Sequence, residues 1–271
     1  AERLLALCGQ ENMIRSGVKE GKIELKAACD GVFLVDSARL VAVNSQDEVM
    51  IATRKGGMAV REGDKLAGMR VIPLIIEEEK LRKAEQAAGD KPLLSLKPYV
   101  RKTACIVATG GEVKKGLIKD TFTPVVIDKL KTYGIETLEV VYSGDEVENV
   151  RDAVLAMRER KPDMILCTGG MSVDPDDRTP LAIRNTGAEI ITYGAPVLPG
   201  AMFLVSYLDG VPVCGLPGCV MYAKRTIFDL LLPRLLADDP ITAEDIARLG
   251  EGGLCLNCEV CHWPNCGFGH C

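Results

Sequence analysis

The chain has 271 residues, a formal net charge of −5, 47% hydrophobic and 26% charged residues. That length gives room for two domains with buried cores that need no disulfides, and the acidic balance argues against a broad nucleic-acid footprint. Its two histidines, His262 and His270, sit at the far end, which excludes a Ser-His-Asp triad or an HExxH zinc site in the body.

In chain order, residues 23–75 read as β-rich. IELKAACDGVFLVD, EVMIATRKGG and KLAGMRVIPLII carry Val and Ile between Gly and Asp turns, one of them at Gly63–Asp64. EEEKLRKAEQAAG reads as a helix with its acids first, as the helix dipole favours. Residues 90–102, with two prolines, read as a linker, so the first domain is expected over 1–100, followed by a second over 101–240 and a cysteine-rich tail over 241–271. The opening AERLLALCGQ lacks a starting Met and a secretory apolar region, as a fragment would.

From Thr103 strands and helices alternate. ACIVAT, ETLEVVY, DMILCTGG, AEIITYG, FLVSYL and VPVCGLPG read as strands. FTPVVIDKLKTYG and DEVENVRDAVLAMRERK read as helices, as does DPDDRTPLAIRNTG, which Asp177 or Thr179 could cap with Pro180 in its first turn. CVMYAKRTIFDLLLPRLLA reads as one long final helix. The uncharged run Ile190–Leu208 holds Gly and Pro and reads as strand, loop and strand, so a soluble protein of the cytoplasm with no membrane partner is expected. The pattern predicts an α/β fold: a three-layer α/β/α, doubly wound, mostly parallel sheet with a smaller β-rich N-terminal domain.

Ligands in such sheets bind where loops leave the carboxyl ends of strands. Three glycine-bearing loops follow strands: Thr109-Gly110-Gly111-Glu112, then Thr168-Gly169-Gly170-Met171-Ser172, then Gly215-Leu216-Pro217-Gly218. Glycines let the backbone approach an anion, and hydroxyls such as Thr168 and Ser172 add donors. Asp174, Asp176 and Asp177 would repel a phosphate unless a hard cation such as Mg²⁺ lay between. Taken singly, TGG is a common packing turn, DPDD a solvated turn and GLPG a tight one. Neither a Walker A motif nor a complete GxGxxG is present.

The ordered set ATGGEVKKGLIKD, TGGMSVDPDDRTP, APVLPGAMF and PVCGLPG resembles the molybdopterin-binding family over about residues 103–237. That family includes molybdopterin adenylyltransferases and molybdopterin molybdotransferases. The resemblance implies a role in molybdenum cofactor biosynthesis, with a small-molecule pterin ligand, and a homo-oligomer that contacts other biosynthetic proteins. It implies that Thr168, Gly169, Gly170 and Ser172 hold the pterin's terminal phosphate, with Thr109 and Gly110 in the neighbouring loop. It implies functional acids at Asp177, Asp145 and Asp120, the last closing the segment Gly116–Asp120.

Asp177-Arg178-Thr179-Pro180 has the D-x-T-P form of the adenylyltransferases, whereas Pro199-Gly200 and the Gly215, Pro217 and Gly218 loop resemble the molybdate-inserting branch. Cys219-Val220 stands where that branch reads Asn-Pro, and Met171-Ser172 where the other reads Thr-Gly. Adenylylation of molybdopterin with Mg²⁺ and ATP leads; molybdate insertion, and a non-catalytic carrier or sensor, are the alternatives. In the N-terminal region AACDGVF and VREGDKLAG resemble small β domains that carry a cofactor arm. No lysine is flanked as a lipoyl or biotinyl site requires, which favours a structural or subunit-contact role.

Six cysteines are scattered through the body and read as small buried hydrophobes. Cys255-x2-Cys258-x2-Cys261-x4-Cys266, with Cys271 beyond, has metal-ligand spacing. Zinc and an iron–sulfur cluster both fit, with His262 or His270 as substitute ligands. A disulfide-linked tail is disfavoured in a reducing compartment, and a disordered reduced tail is the remaining alternative.

Overall fold

The computed structural model describes residues 1–73, 75–171 and 178–269. The chain divides into two compact units, Ala1–Val100 and Arg101–Cys271.

The first unit opens with α1 (Glu2–Cys8), whose Leu4, Leu5 and Cys8 are buried, and β1 (Met13–Arg15). The stretch IELKAACDGVFLVD forms β2 (Ile23–Ala27) and β3 (Gly31–Val35). Next come α2 (Ser37–Asn44), β4 (Val49–Thr53), β5 (Met58–Val60), β6 (Lys65–Val71), α3 (Glu78–Ala88) and β7 (Leu94–Pro98). The strands form two antiparallel sheets, β1-β2-β6-β4 and β5-β3-β7. In β2 the apolar Ile23, Leu25 and Ala27 are buried between less buried Glu24 and Lys26, the period-2 pattern of a half-buried strand.

Two expectations fail here. Residues 94–98, read as linker, form β7 paired with β3 from Val35↔Leu94 to Gly31↔Pro98. The alternation of buried Leu94 and Leu96 with exposed Ser95 carries that strand, and its proline sits at the end, where a missing N–H costs least. The stretch expected to be β-rich also contains α2, which Asp36 caps by accepting from the Arg39 amide at 3.0 Å.

The second unit contains β8 (Thr103–Thr109), α4 (Gly111–Lys114), α5 (Phe122–Lys131), β9 (Glu136–Ser143), α6 (Val147–Glu159) and β10 (Met164–Thr168). It continues through α7 (Thr179–Asn185), β11 (Glu189–Tyr193), β12 (Leu204–Leu208), β13 (Val211–Leu216), α8 (Cys219–Tyr222), α9 (Ile227–Leu236) and α10 (Ala243–Arg248). Its sheet runs β11-β12-β13-β10-β8-β9, with β13, β10, β8 and β9 parallel and β12 antiparallel to both neighbours.

Cys105, Val107, Ile165 and Cys167 pack with Val150 and Val154 of α6 and with Ile183 of α7. The alternate residues Ala104, Ile106, Met164 and Leu166 are equally buried. Both faces of the sheet are therefore covered, as a parallel sheet requires. The fold is the mostly parallel α/β class expected, with the smaller β-rich unit before it. Among the described residues no helix is long and apolar enough to cross a membrane.

The single long final helix is also corrected. The chain breaks between α8 and α9, where Thr226 caps α9 by accepting from the Phe228 amide at 3.2 Å. Asp229 returns the contact by accepting from the Thr226 amide at 2.9 Å. This capping box fixes a helix start inside an apolar run.

Candidate functional site at the carboxyl edge of the sheet

Four parallel strands end in one row, because Thr109 pairs with Ser143, and Thr168 pairs with Ala108 and with Leu216. The loops after β8, β9, β10 and β13 therefore leave the same edge. The 194–203 loop joins them, since β11 ends at Tyr193 opposite Leu204, itself opposite Gly215. From β8 the chain winds outward to β9, then crosses back to β10 on the other side of β8. That reversal opens the crevice in which doubly wound sheets hold ligands, and it lies between Thr109 and Thr168.

The two TGG loops are built against each other at this crevice. Thr109 donates its hydroxyl to the Thr168 carbonyl at 2.9 Å, and Thr179 donates to the Gly169 carbonyl at 2.9 Å. Gly169 has φ +85°, and a Cβ there would stand 2.5 Å from the Thr109 carbonyl oxygen. Gly170 has φ +57°, and its Cβ would meet the Thr179 hydroxyl at 2.6 Å. Thr168 is 2% exposed, so it supports the loop from below.

The remaining candidate glycines serve close packing. A Cβ on Gly215 would stand 2.5 Å from Cε of the buried Met171, so the residue after TGG fills the space over the third loop. Pro217 is buried and Gly218 exposed. Gly200 lies against the start of α9, where its Cβ would meet Cγ2 of Ile227 at 2.5 Å, and Pro199 accepts from the Ile227 amide at 3.2 Å.

The acids take different parts. Asp145 is exposed and accepts from the Gly111 amide at 2.7 Å, tying the loop after β9 to the loop after β8. Asp120 accepts from the Phe122 and Thr123 amides at 2.9 and 3.0 Å through Oδ1, which seats the start of α5. Its Oδ2 is buried, with the Thr123 and Tyr142 hydroxyls turned to the same carboxyl. Burial works to raise this carboxyl, but hydrogen bonds from Thr123 and the Phe122 amide outweigh it and hold the group below its usual value. The Tyr142 phenol at the end of β9 is pushed up by desolvation and by the charge of Asp120. Lys114, Lys115 and Lys119 are exposed on the same loop and have no ion-pair partner among the described residues. Asp177 and Ser172, with Asp174 and Asp176, lie outside the described residues.

Residues 105–237 match the model of a family described as a probable molybdopterin binding domain. Those residues belong to that family. A probable FAD synthase of Caenorhabditis briggsae is 26% identical over 113 residues, 41% of this chain and 21% of that protein. A CinA-like protein of Mycobacterium tuberculosis is 32% identical over 89 residues, 32% of this chain and 21% of its own length. The chain thus spans about a fifth of the length of these curated relatives. The crystal structure of the molybdopterin biosynthesis enzyme MoaB from Thermus thermophilus covers 52% of this chain and 98% of its own, with 18% identity and a TM-score of 0.42.

Within the molybdopterin-binding domain, two supports carry little signal in the residue string. Met171 reads as a departure from a motif, and only its burial against Gly215 identifies it as packing. Asp229, 4% exposed, accepts from Lys129 at 2.6 Å and from Arg225 at 3.0 Å, joining α5 to the α8–α9 link. It reads as one more polar position in a helix.

Beyond the matched residues the tail is threaded back onto the same unit. The Leu198 amide donates to the Gly253 carbonyl and the Cys255 amide to the Leu198 carbonyl, both at 2.8 Å. Phe268 is buried, and Lys224 donates to the Glu259 carbonyl at 2.7 Å. Cys255, Cys258, Cys261 and Cys266 line one cavity of about 530 Å³, together with His262 and Trp263. Among the described residues no three His, Cys, Asp or Glu side chains converge where a single ion could sit; Cys271 and His270 lie outside them. Of the six body cysteines expected to be buried, Cys8, Cys105, Cys167 and Cys214 are, and burial pushes the Cys8 and Cys167 thiols up to about 12. Cys29, just past the end of β2, and Cys219, at the start of α8, are only half-buried.

Proposed function

We propose that the 101–240 domain binds molybdopterin through its terminal phosphate on the Thr168–Ser172 loop and transfers an adenylyl group to that phosphate from ATP. The observation that carries this reading is the pair of TGG loops locked together at the topological switch point, with glycines that leave no room for a Cβ. Backbone amides of a glycine loop at this edge of the sheet suit a phosphate. Lys114, Lys115 and Lys119 supply further positive charge nearby. The similarity to a probable FAD synthase of C. briggsae supports the choice of an adenylyl donor.

In this reading an oxygen of the pterin phosphate attacks the α-phosphorus of ATP. A new P–O bond forms, the bond between the α- and β-phosphates breaks, and pyrophosphate leaves with the electron pair. The chain's part is to align the two phosphates and offset their charge. Asp145 positions the Gly110–Gly111 turn. Asp120, a carboxylate held ionised beside Tyr142, and Asp177 are the groups that would hold Mg²⁺. Bound there, the ion supplies neutralisation of phosphate charge. The tail cysteines complete the reading with a thiolate-bound metal, zinc or an iron–sulfur cluster.

Incubation of the protein with molybdopterin and Mg-ATP, followed by mass spectrometry, tests the reaction. Adenylyl-molybdopterin should accumulate with the wild type and fall by about a hundredfold or more with Asp177→Asn. Tight pterin binding without product would reject adenylyl transfer and leave insertion or carriage.

A further inference from the structure

We propose that Cys255, Cys258, Cys261 and Cys266 hold an iron–sulfur cluster in the cavity between the tail and the α8–α9 link. Four thiol side chains from one short segment line a single, partly open cavity, Cys255 and Cys266 half-buried and Cys258 and Cys261 exposed. Cysteines two residues apart can turn onto one object, and four thiolates satisfy a cubane cluster.

Spacing favours a cluster over a lone ion: Cys255-x2-Cys258-x2-Cys261 is the run of an iron–sulfur loop, and Cys266 brings a fourth thiol to the same cavity.

The rest of the lining suits such an occupant. Trp263 Nε1 is buried and makes no hydrogen bond, so an indole donor in the wall lacks an acceptor. Sulfide or thiolate sulfur would accept it, and hydrogen bonds of this kind tune a cluster's potential. Arg225 holds its guanidinium 4.5 Å from the centre of the Trp263 ring, and Lys224 lies beside it. Two cations at the wall offset the negative charge that four thiolates bring. His262 lines the same cavity and stands as the substitute ligand.

The test is anaerobic reconstitution of the full chain with ferrous iron and sulfide, then desalting and assay of iron, sulfide and zinc. The expected result is about four irons and four sulfides per chain, with broad visible absorption and a paramagnetic signal on reduction. Cys258→Ser with Cys261→Ser should lower retained iron on the order of tenfold or more. Cys29→Ser, outside the tail, should keep the full load. Unchanged circular dichroism in the double variant shows that its loss is one of ligands, whatever the fold of the tail. One zinc per chain with exclusion of iron, equal iron loss with Cys29→Ser, or no retained metal would each overturn the proposal.

Discussion

Gly169 shows how one position sets the geometry of the candidate site. Its backbone lies at φ +85°, and any Cβ would press to 2.5 Å against the Thr109 carbonyl. Gly169→Ala should cost about 1–3 kcal/mol in urea denaturation; a loss within the noise of the method would mean the two TGG loops are not packed together. At the opposite end of β8, Asp163 accepts from the Lys102 amide at 2.7 Å and from the Thr103 amide and hydroxyl at 2.9 and 2.8 Å. Burial opposes its charge, but these hydrogen bonds prevail and lower its pKa. A depressed carboxyl stabilises the fold fully above its unfolded value of about 4 and loses that contribution as pH falls through the folded value. The melting-temperature gap between wild type and Asp163→Asn should therefore be widest near neutrality and close below about pH 4. A gap that stays constant with pH would contradict this. The glycines of both loops are legible in the sequence because only their type permits the turn. The burial of Asp120 Oδ2 is not, since it depends on Tyr142, a neighbour distant in the chain.

At the scale of elements, the alternation of apolar strands with amphipathic helices from Thr103 onward predicts the second unit well, because each element carries its own period. The errors fall where periodicity is silent. The run from Cys219 to Ala237 is apolar throughout, so its pattern does not register the break that the Thr226 and Asp229 capping box imposes. Thr226→Ala should cost about 1 kcal/mol. Asp229→Ala should cost more, about 3–5 kcal/mol, because it strands Lys129 and Arg225 beside a buried position. Chemical denaturation of both variants measures the difference, and equal losses would show that the cap alone matters. The misread linker has a related origin: two prolines outweighed the short alternation of Leu94, Ser95 and Leu96, whose partner strand lies about sixty residues earlier.

For the molecule as a whole, each unit has a core of its own. Phe33, Leu25 and Leu66 belong to one, and Val107, Ile165 and Val213 to another. Composition and periodicity reach an α/β domain with a phosphate-type ligand and stop there. The pterin comes from four ordered motifs, and the matched span of 105–237 agrees with them. How strands of the first unit sort into two sheets is not legible, because β2 and β3 look alike and separate only through distant pairings. All the loops of the carboxyl edge lie in the second unit. A fragment of residues 101–271 should accordingly retain molybdopterin binding, tested by fluorescence titration against the full chain. Loss of binding in a folded fragment would show that residues 1–100 take part.

In the proposed function the pterin phosphate sits where the two TGG loops meet. The most direct measurement is the affinity of molybdopterin for the wild type and for Gly170→Ala, whose added methyl would stand 2.6 Å from the Thr179 hydroxyl. Both are titrated at neutral pH without nucleotide, with circular dichroism confirming the fold. The wild type should bind, and the variant should lose about tenfold or more, one charge-assisted hydrogen bond being worth about 1.5–3 kcal/mol. Equal affinities in two folded proteins would place the phosphate elsewhere.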